Sequence, residues 1–360
     1  MADSKCIAPF GRCSTCRKRP LSASNKVNIV KQSEEKMKVL VTGGAGYIGS
    51  HTAQKLIEAG FDVVVLDDLS TGFKEAVPAK AHFILGDVTD LEVVTGVLKS
   101  HQIEAVVHFA AKLIVPESVE KPLLYYKNNT TGVMTMVEAM KSTGVRKIVF
   151  SSTAAVYGDA STDGLVNEET PTAPLNPYGY SKLMSEQILK DAGHAYGISS
   201  VRLRYFNVAG ASTDGKNGQR TANATHLIKV SSEAACGKRS QVGVFGTDYP
   251  TPDGTGVRDY IHVEDLADLH VLALKYLNNG GQSDVFNCGY GEGFSVKQVI
   301  ETIKKVSGVN FKVIEEPRRP GDAATLVADS RKARKMFQWS PQRNDLELIC
   351  RTAFEWEKSR

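Results

Sequence analysis

"KVLVTGGAGYIGSHTAQKLIEAG", residues 38–60, decides the fold class. The opening Val/Leu run has no polar alternation, so it reads as a strand buried on both faces. Glycines follow it at once. From Tyr47 the pattern becomes that of a helix, closed by Gly60. Gly44, Gly46 and Gly49 fit G-x-G-x-x-G, and Gly43, Gly46 and Gly49 fit G-x-x-G-x-x-G. Such glycines let the backbone approach a pyrophosphate, whose charge the helix N-terminus stabilises. A glycine fingerprint placed between a strand and a helix is much more specific than the glycines alone.

Working outward, the next strand, "FDVVVLDDL", carries Asp67, close to the expected spacing of ~20 residues after the glycines. A carboxylate there accepts hydrogen bonds from a ribose diol and repels a 2′-phosphate, which favours NAD over NADP. "AHFILGDV", "AVVHFAA", "KIVFSS" and "SSVRLRYFNVAG" read as further strands. Helical stretches lie between them at "LEVVTGVLKSH", around 121–142, and after Pro177. This alternation predicts an α/β, Rossmann-type doubly wound parallel sheet. Asp87 in "GDVTD" has two readings, a group near the adenine or a solvated turn residue. After about residue 208 the rhythm breaks into polar and Pro/Gly-rich loops. The expected division is therefore a dinucleotide-binding domain at 37–207 and a smaller, mainly substrate-binding lobe at 208–360.

The 360 residues, 42% hydrophobic and 23% charged, have an ordinary globular composition. No apolar run approaches the ~20 residues that span a bilayer. The net charge of +4 is concentrated in residues 1–36, which hold eight basic and three acidic side chains. The rest of the chain is close to neutral, which argues against nucleic acid as a partner. Cys236, Cys288 and Cys350 are scattered, as suits free thiols in a reducing, cytoplasmic setting. Cys6, Cys13 and Cys16 in the leader fall short of the four ligands of a closed zinc site, so no metal is expected. The leader reads either as a transit-peptide-like segment or as an extension before a natural start at Met37, and it is left out of the fold.

"PYGYSKLMSEQIL", residues 177–189, sets Tyr178 four residues before Lys182, on one face of a helix. A free phenol has a pKa near ~10 and is a poor base at neutral pH. An adjacent ammonium favours phenolate, and a nicotinamide cation would favour it further. So tuned, Tyr178 could take a proton from a sugar hydroxyl and return it. "FSSTAAVYG" adds the hydroxyls of Ser151, Ser152 and Thr153 at the carboxyl edge of the sheet.

In chain order, "TGGAGYIGS", "HFAA…ES…KP…YY.NN", "SST..VYG", "PYG.SK", "RYFNVAG", "DGTGVRDYIHVEDLADLH", "FNCGYGEGFSV" and "RRPGD" resemble the extended short-chain dehydrogenase/reductases, most closely their UDP-glucose 4-epimerase branch. The match covers about residues 37–357. The resemblance implies that NAD stays bound through turnover and that C4 of a UDP-sugar is inverted through a 4-keto intermediate. It implies Tyr178 as the acid/base and Thr153 as its partner at the reacting hydroxyl. Lys182 would bind the nicotinamide ribose and tune the phenol. Gly43, Gly46, Tyr47, Ile48, Gly49, Asp67, Asp87, Val88 and Asn128 would lie at the cofactor, although helix capping is an equal reading of Asn128. Asn207, Arg258 and Arg319 would hold the UDP diphosphate, Asp322 the uridine ribose, and His226 and Leu227 would stand near the substrate. A homodimer through segments near 121–142 and 179–195 is also implied.

The chain departs from its relatives in places. Leu113 stands where some place a cofactor-contacting lysine, with Lys112 one position earlier. His226 replaces an Asn, and Leu326 takes a pocket-wall position that is tyrosine in members restricted to plain hexoses. A smaller residue there leaves room at C2 for an N-acetyl group. A dehydratase or decarboxylase of the same superfamily is the alternative reaction class, a UDP-pentose 4-epimerase the alternative substrate. Dehydratases carry Asp-Glu just after the Thr, and here Ala154 and Ala155 occupy those places.

Overall fold

The computed structural model describes residues 36–159, 164–221, 224–319 and 322–360. The leader, with its three cysteines, and Pro320–Gly321 of "RRPGD" lie outside the described residues. The first half builds β1 (Lys38–Thr42), α1 (Tyr47–Glu58), β2 (Asp62–Asp67), β3 (His82–Leu85), α2 (Leu91–Ser100) and β4 (Ala105–His108). A helical run follows: α3 (Val115–Glu120), α4 (Pro122–Tyr125), a π-helical turn at Tyr126–Thr131, and α5 (Gly132–Thr143). Then come β5 (Lys147–Thr153), β6 (Leu165–Val166), α6 (Pro177–Tyr196), β7 (Ser199–Tyr205) and β8 (Asn207–Ala209). The second half holds α7 (Leu227–Ala235), β9 (Val242–Phe245), β10 (Val257–His262), α8 (Val263–Asn278), β11 (Asp284–Cys288) and β12 (Gly293–Ser295). It ends with α9 (Val296–Ser307), β13 (Val313–Glu316), β14 (Thr325–Ala328), α10 (Arg331–Phe337) and α11 (Leu346–Lys358).

The main sheet is parallel, in the order β11-β7-β5-β4-β1-β2-β3. The order reverses between β1 and β4, which makes a ligand crevice at their carboxyl ends. Val39, Val41, Val63 and Val65 point to one face, where α1 and α8 cover them with Leu56, Leu266, Leu269 and Leu274. Leu40, Val64, Leu66 and Val106 point to the other, under Leu98, Met136, Met140 and Leu189 of α2, α5 and α6. Each such side chain contributes roughly 1.5–3 kcal/mol when fully buried, so both faces must be covered for the sheet to be stable.

Two expectations change. The division at residue 208 does not separate the layers: α8 and β11, both beyond it, complete the main sheet and one of its faces. The remainder of that half supplies a smaller sheet, β12-β10-β14-β6 with β8 on β10, and the β9–β13 pair. The helix expected around 121–142 is also interrupted. At the π turn Asn129 points inward, where its amide takes Lys112 N at 2.8 Å and donates to Lys112 O at 3.0 Å and Ser181 Oγ at 2.9 Å. A π turn inserts one residue into the helical repeat, and here these bonds hold it.

Candidate active site

A single cleft of about 1260 Å³ runs along the carboxyl edge of the main sheet and out under the smaller one. That exceeds the ~300–1,000 Å³ of a pocket for one small ligand. The glycine loop forms one end. Gly43 has φ +68°, and a Cβ on it would meet Ala110 N at 2.7 Å, so the loop presses against the end of β4. A Cβ on Gly49 would lie 2.3 Å from Gly43 O. Gly46 caps α1 without a side-chain acceptor, and the helix has no acidic residue in its first turn. The N–H groups of Tyr47, Ile48 and Gly49 therefore face the cleft as donors for an anion.

Asp67 is buried at the end of β2. Its carboxylate accepts from Ala45 N at 3.0 Å and Leu69 N at 2.8 Å, while burial raises its pKa. A carboxylate has about four lone-pair sites, so two remain for a ribose diol. Asp87 closes its own turn through Thr89 N at 2.8 Å and also lines the cleft beside Val88. Asn128 lines the cleft from within the π turn and caps no helix. Lys112 and Leu113 both line it, the Lys112 ammonium 3.4 Å from Ser70 Oγ and the Leu113 side chain exposed. The cradle, the free helix donors and the carboxylate fit a dinucleotide carrying an unmodified ribose.

Mid-cleft, Thr153 ends β5 and Tyr178 opens α6, where Asn176 caps the helix by accepting from Gly179 N at 2.9 Å. Both line the cleft. Lys182 does not. It is 2% exposed, its ammonium donates to Ser151 O at 2.7 Å, and it lies 4.9 Å from the Phe150 ring centroid. Burial pushes its pKa down to about 7, opposed by the Glu186 carboxylate. Burial raises the Tyr178 pKa, and the Thr153 hydroxyl is the group that pulls it down. The lysine's charge is spent on a backbone carbonyl and weakened by its own desolvation.

The other end gathers the remaining candidates. Arg258 on β10 and Leu326 on β14 are register partners. Arg319 stacks on Phe245, 3.6 Å from guanidinium carbon to ring centroid. Neither Arg258 nor Arg319 is paired with a carboxylate among the described residues, whereas Arg318 pairs with Asp248 at 2.7 Å. A loop salt bridge thus describes Arg318 and not the two candidates. Asn207 reaches Asp259 O at 3.4 Å, and Asp322 N donates to Arg319 O at 3.2 Å. His226 precedes α7, its Nδ1 3.1 Å from Gln219 Nε2, and the surrounding protein lowers its pKa. It lines the cleft with Leu227.

Some participants carried no readable signal. Tyr205 lines the cleft next to Thr153, its register partner on β5, and hydrogen-bonds the Ser151 hydroxyl. Tyr125 sets its ring edge-on to Tyr178, with centroids 6.5 Å apart. Phe245 supplies the face beneath Arg319. The parallel register brings Tyr205 to the cleft and the β9–β13 pairing Phe245, while Tyr125 stays buried behind Tyr178 on α4.

UDP-glucose 4-epimerase of Azospirillum brasilense is 52% identical over 328 residues, covering 91% of this chain and 94% of that protein. The Brucella ovis UDP-glucose 4-epimerase, solved in complex with NAD, superposes with a TM-score of 0.86 at 42% identity, over 88% of this chain and 97% of that one. The UDP-Glc/GlcNAc 4-epimerase of Campylobacter jejuni does so with a TM-score of 0.79 at 49% identity, over 90% and 100%. Residues 39–289 match the model of the NAD dependent epimerase/dehydratase family, and the chain belongs to that family.

Proposed function

We propose that this protein inverts C4 of a UDP-hexose, interconverting UDP-glucose and UDP-galactose through a transient 4-keto sugar, with NAD as resident cofactor. The observation that carries the reading is the continuity of the cleft: a dinucleotide cradle at one end, two unpaired arginines at the other, and Thr153 with Tyr178 between them. When bound, NAD supplies a hydride acceptor, then donor, and a positive charge beside the phenol. Tyr178 takes the proton of the C4 hydroxyl and returns it, and Thr153 hydrogen-bonds the same oxygen. Lys182 acts from beneath, through its contact with Ser151 O. Arg258 and Arg319 hold the diphosphate, to which a planar guanidinium can bind bidentately. Anchored there, the sugar can turn and offer either face of C4. Asp322 and Asn207 complete the nucleotide end. Ala154 and Ala155 bring no carboxylate to the cleft, which disfavours elimination of water.

Purified protein given UDP-galactose without added NAD is expected to form UDP-glucose and to release NAD on denaturation. An intact, NAD-loaded protein that forms no UDP-glucose would overturn the reading. Release of water or carbon dioxide from the UDP-sugar would instead favour the alternative reaction class.

Half-buried Leu326 lines the cleft and is smaller than a tyrosine, so N-acetylhexosamine substrates are included in the proposal. Leu326→Tyr is expected to cut turnover of UDP-GalNAc by roughly 10–200-fold, the scale of a small volume misfit, while sparing UDP-galactose. Equal losses on both substrates would remove Leu326 from this role. UDP-arabinose in the same assay tests the pentose alternative.

The protein is further proposed to be a cytoplasmic homodimer. Leu123 and Met134 are 80% and 54% exposed on α4 and α5, which pack against α6 with Tyr180 and Met184 at 44% and 45%. Contiguous exposed apolar side chains of this size mark an interface. Light scattering should give the mass of two chains, and Leu123→Glu with Met134→Glu should halve it. A wild-type monomer would refute the dimer.

A further inference from the structure

Glu186 lies on α6 four residues after Lys182 and eight after Tyr178, on the same helical stripe. It is 4% exposed, and its carboxylate accepts from Ser152 Oγ at 2.5 Å, Arg204 Nε at 2.9 Å and Arg204 Nη2 at 2.5 Å. Ser152 and Arg204 are register partners on β5 and β7, one residue before Thr153 and Tyr205. Arg204, 5% exposed, lies over the Tyr157 ring at 4.9 Å, and the Tyr157 hydroxyl donates to Asn287 Oδ1 on β11 at 2.7 Å. None of these five residues lines the cleft.

A buried ion pair is a poor source of stability, because a well-packed apolar replacement is often neutral or better. What it offers is direction: a guanidinium fork meets a carboxylate in one geometry. Helix α6 needs direction. Its buried residues are Gly179, Ser181, Lys182, Ser185, Glu186, Leu189 and Ala192, mostly small or polar. Apolar packing is non-directional, and the other polar holds on this face, such as Lys182 Nζ to Ser151 O at 2.7 Å and Asn129 Nδ2 to Ser181 Oγ at 2.9 Å, are single hydrogen bonds without the two-pronged geometry of the fork. Slide or rotation of α6 would carry Tyr178 and Lys182 away from Thr153. A misplacement of ~1 Å can cost about 10²-fold in rate.

We propose that the Glu186–Arg204 ion pair, braced by Ser152 and Tyr157, is the positioning element of the catalytic helix, fixing the rotation and slide of α6 and hence where Tyr178 and Lys182 stand. This rests on the epimerase reading above. The two fail differently: if that reading is wrong the wild type does not convert UDP-galactose, whereas if this one is wrong the wild type and the variants below are equally active.

The test is an apolar replacement of both partners, Glu186→Leu with Arg204→Met, in the full-length NAD-bound protein. Expected are an unfolding midpoint and NAD content close to wild type, kcat for UDP-galactose at least tenfold lower, and KM within about threefold, since the UDP end is untouched. A double variant with wild-type kcat overturns the proposal, as does one whose loss is confined to KM. Should that variant not fold, Arg204→Lys decides. It keeps the charge and gives up the fork, and is expected to fold with kcat at least fivefold lower. Wild-type kcat in folded Arg204→Lys would equally overturn the proposal.

Discussion

Tyr178→Phe is expected to lower kcat for UDP-galactose by roughly 10²–10⁴-fold, the contribution of a positioned acid/base, with bound NAD unchanged. The phenol lines mid-cleft and is hydrogen-bonded by the Thr153 hydroxyl, whereas Tyr205, the register partner of Thr153, is engaged by the Ser151 hydroxyl. Removing its oxygen leaves the ring, and so the packing against Tyr125, in place. The loss should therefore fall on kcat, with KM and the unfolding midpoint little altered. Because burial raises the Tyr178 pKa, the hydroxyl is protonated at neutral pH in the protein alone. The charge that makes it a base must come mainly with the cofactor. NAD-loaded Tyr178→Phe turning over within a few-fold of wild type would remove Tyr178 from the chemistry.

Gly49→Val is expected to yield protein purified without NAD and with less than about 1% of wild-type turnover. A Cβ at residue 49 would stand 2.3 Å from Gly43 O, and its neighbour is backbone, which cannot swing aside. The loop would have to open and lift the N–H groups of residues 47–49 out of line with a pyrophosphate. Overpacking of this kind costs typically about 1–3 kcal/mol, so the unfolding midpoint should also fall. NAD retained at wild-type stoichiometry would show that the loop can relax and that the argument from close approach is wrong.

The two predictions differ in how early they could be made. Gly49 and Tyr178 both stand in local patterns, G-x-x-G-x-x-G and Y-x-x-x-K, whose spacing reflects one helical turn or one tight loop. Strand and helix alternation is local too, because burial on both faces leaves continuous Val/Leu runs. From these, the parallel sheet, its ligand-binding edge and the preference for NAD could be read in chain order.

The chain by itself determined which residues can meet, since periodicity and motif spacing are properties of neighbouring positions. Only the folded arrangement decided how they meet. Lys182, on α6, donates to Ser151 O because the packing of helix on sheet brings it under β5. Tyr205 reached the site through strand register, Glu186 found Arg204 across two elements, and α8 and β11 returned from beyond residue 208 to finish the sheet. The physical reason is common to all: electrostatics and burial are set by atoms distant in sequence, and desolvation changes a charged group more than its nearest neighbour does.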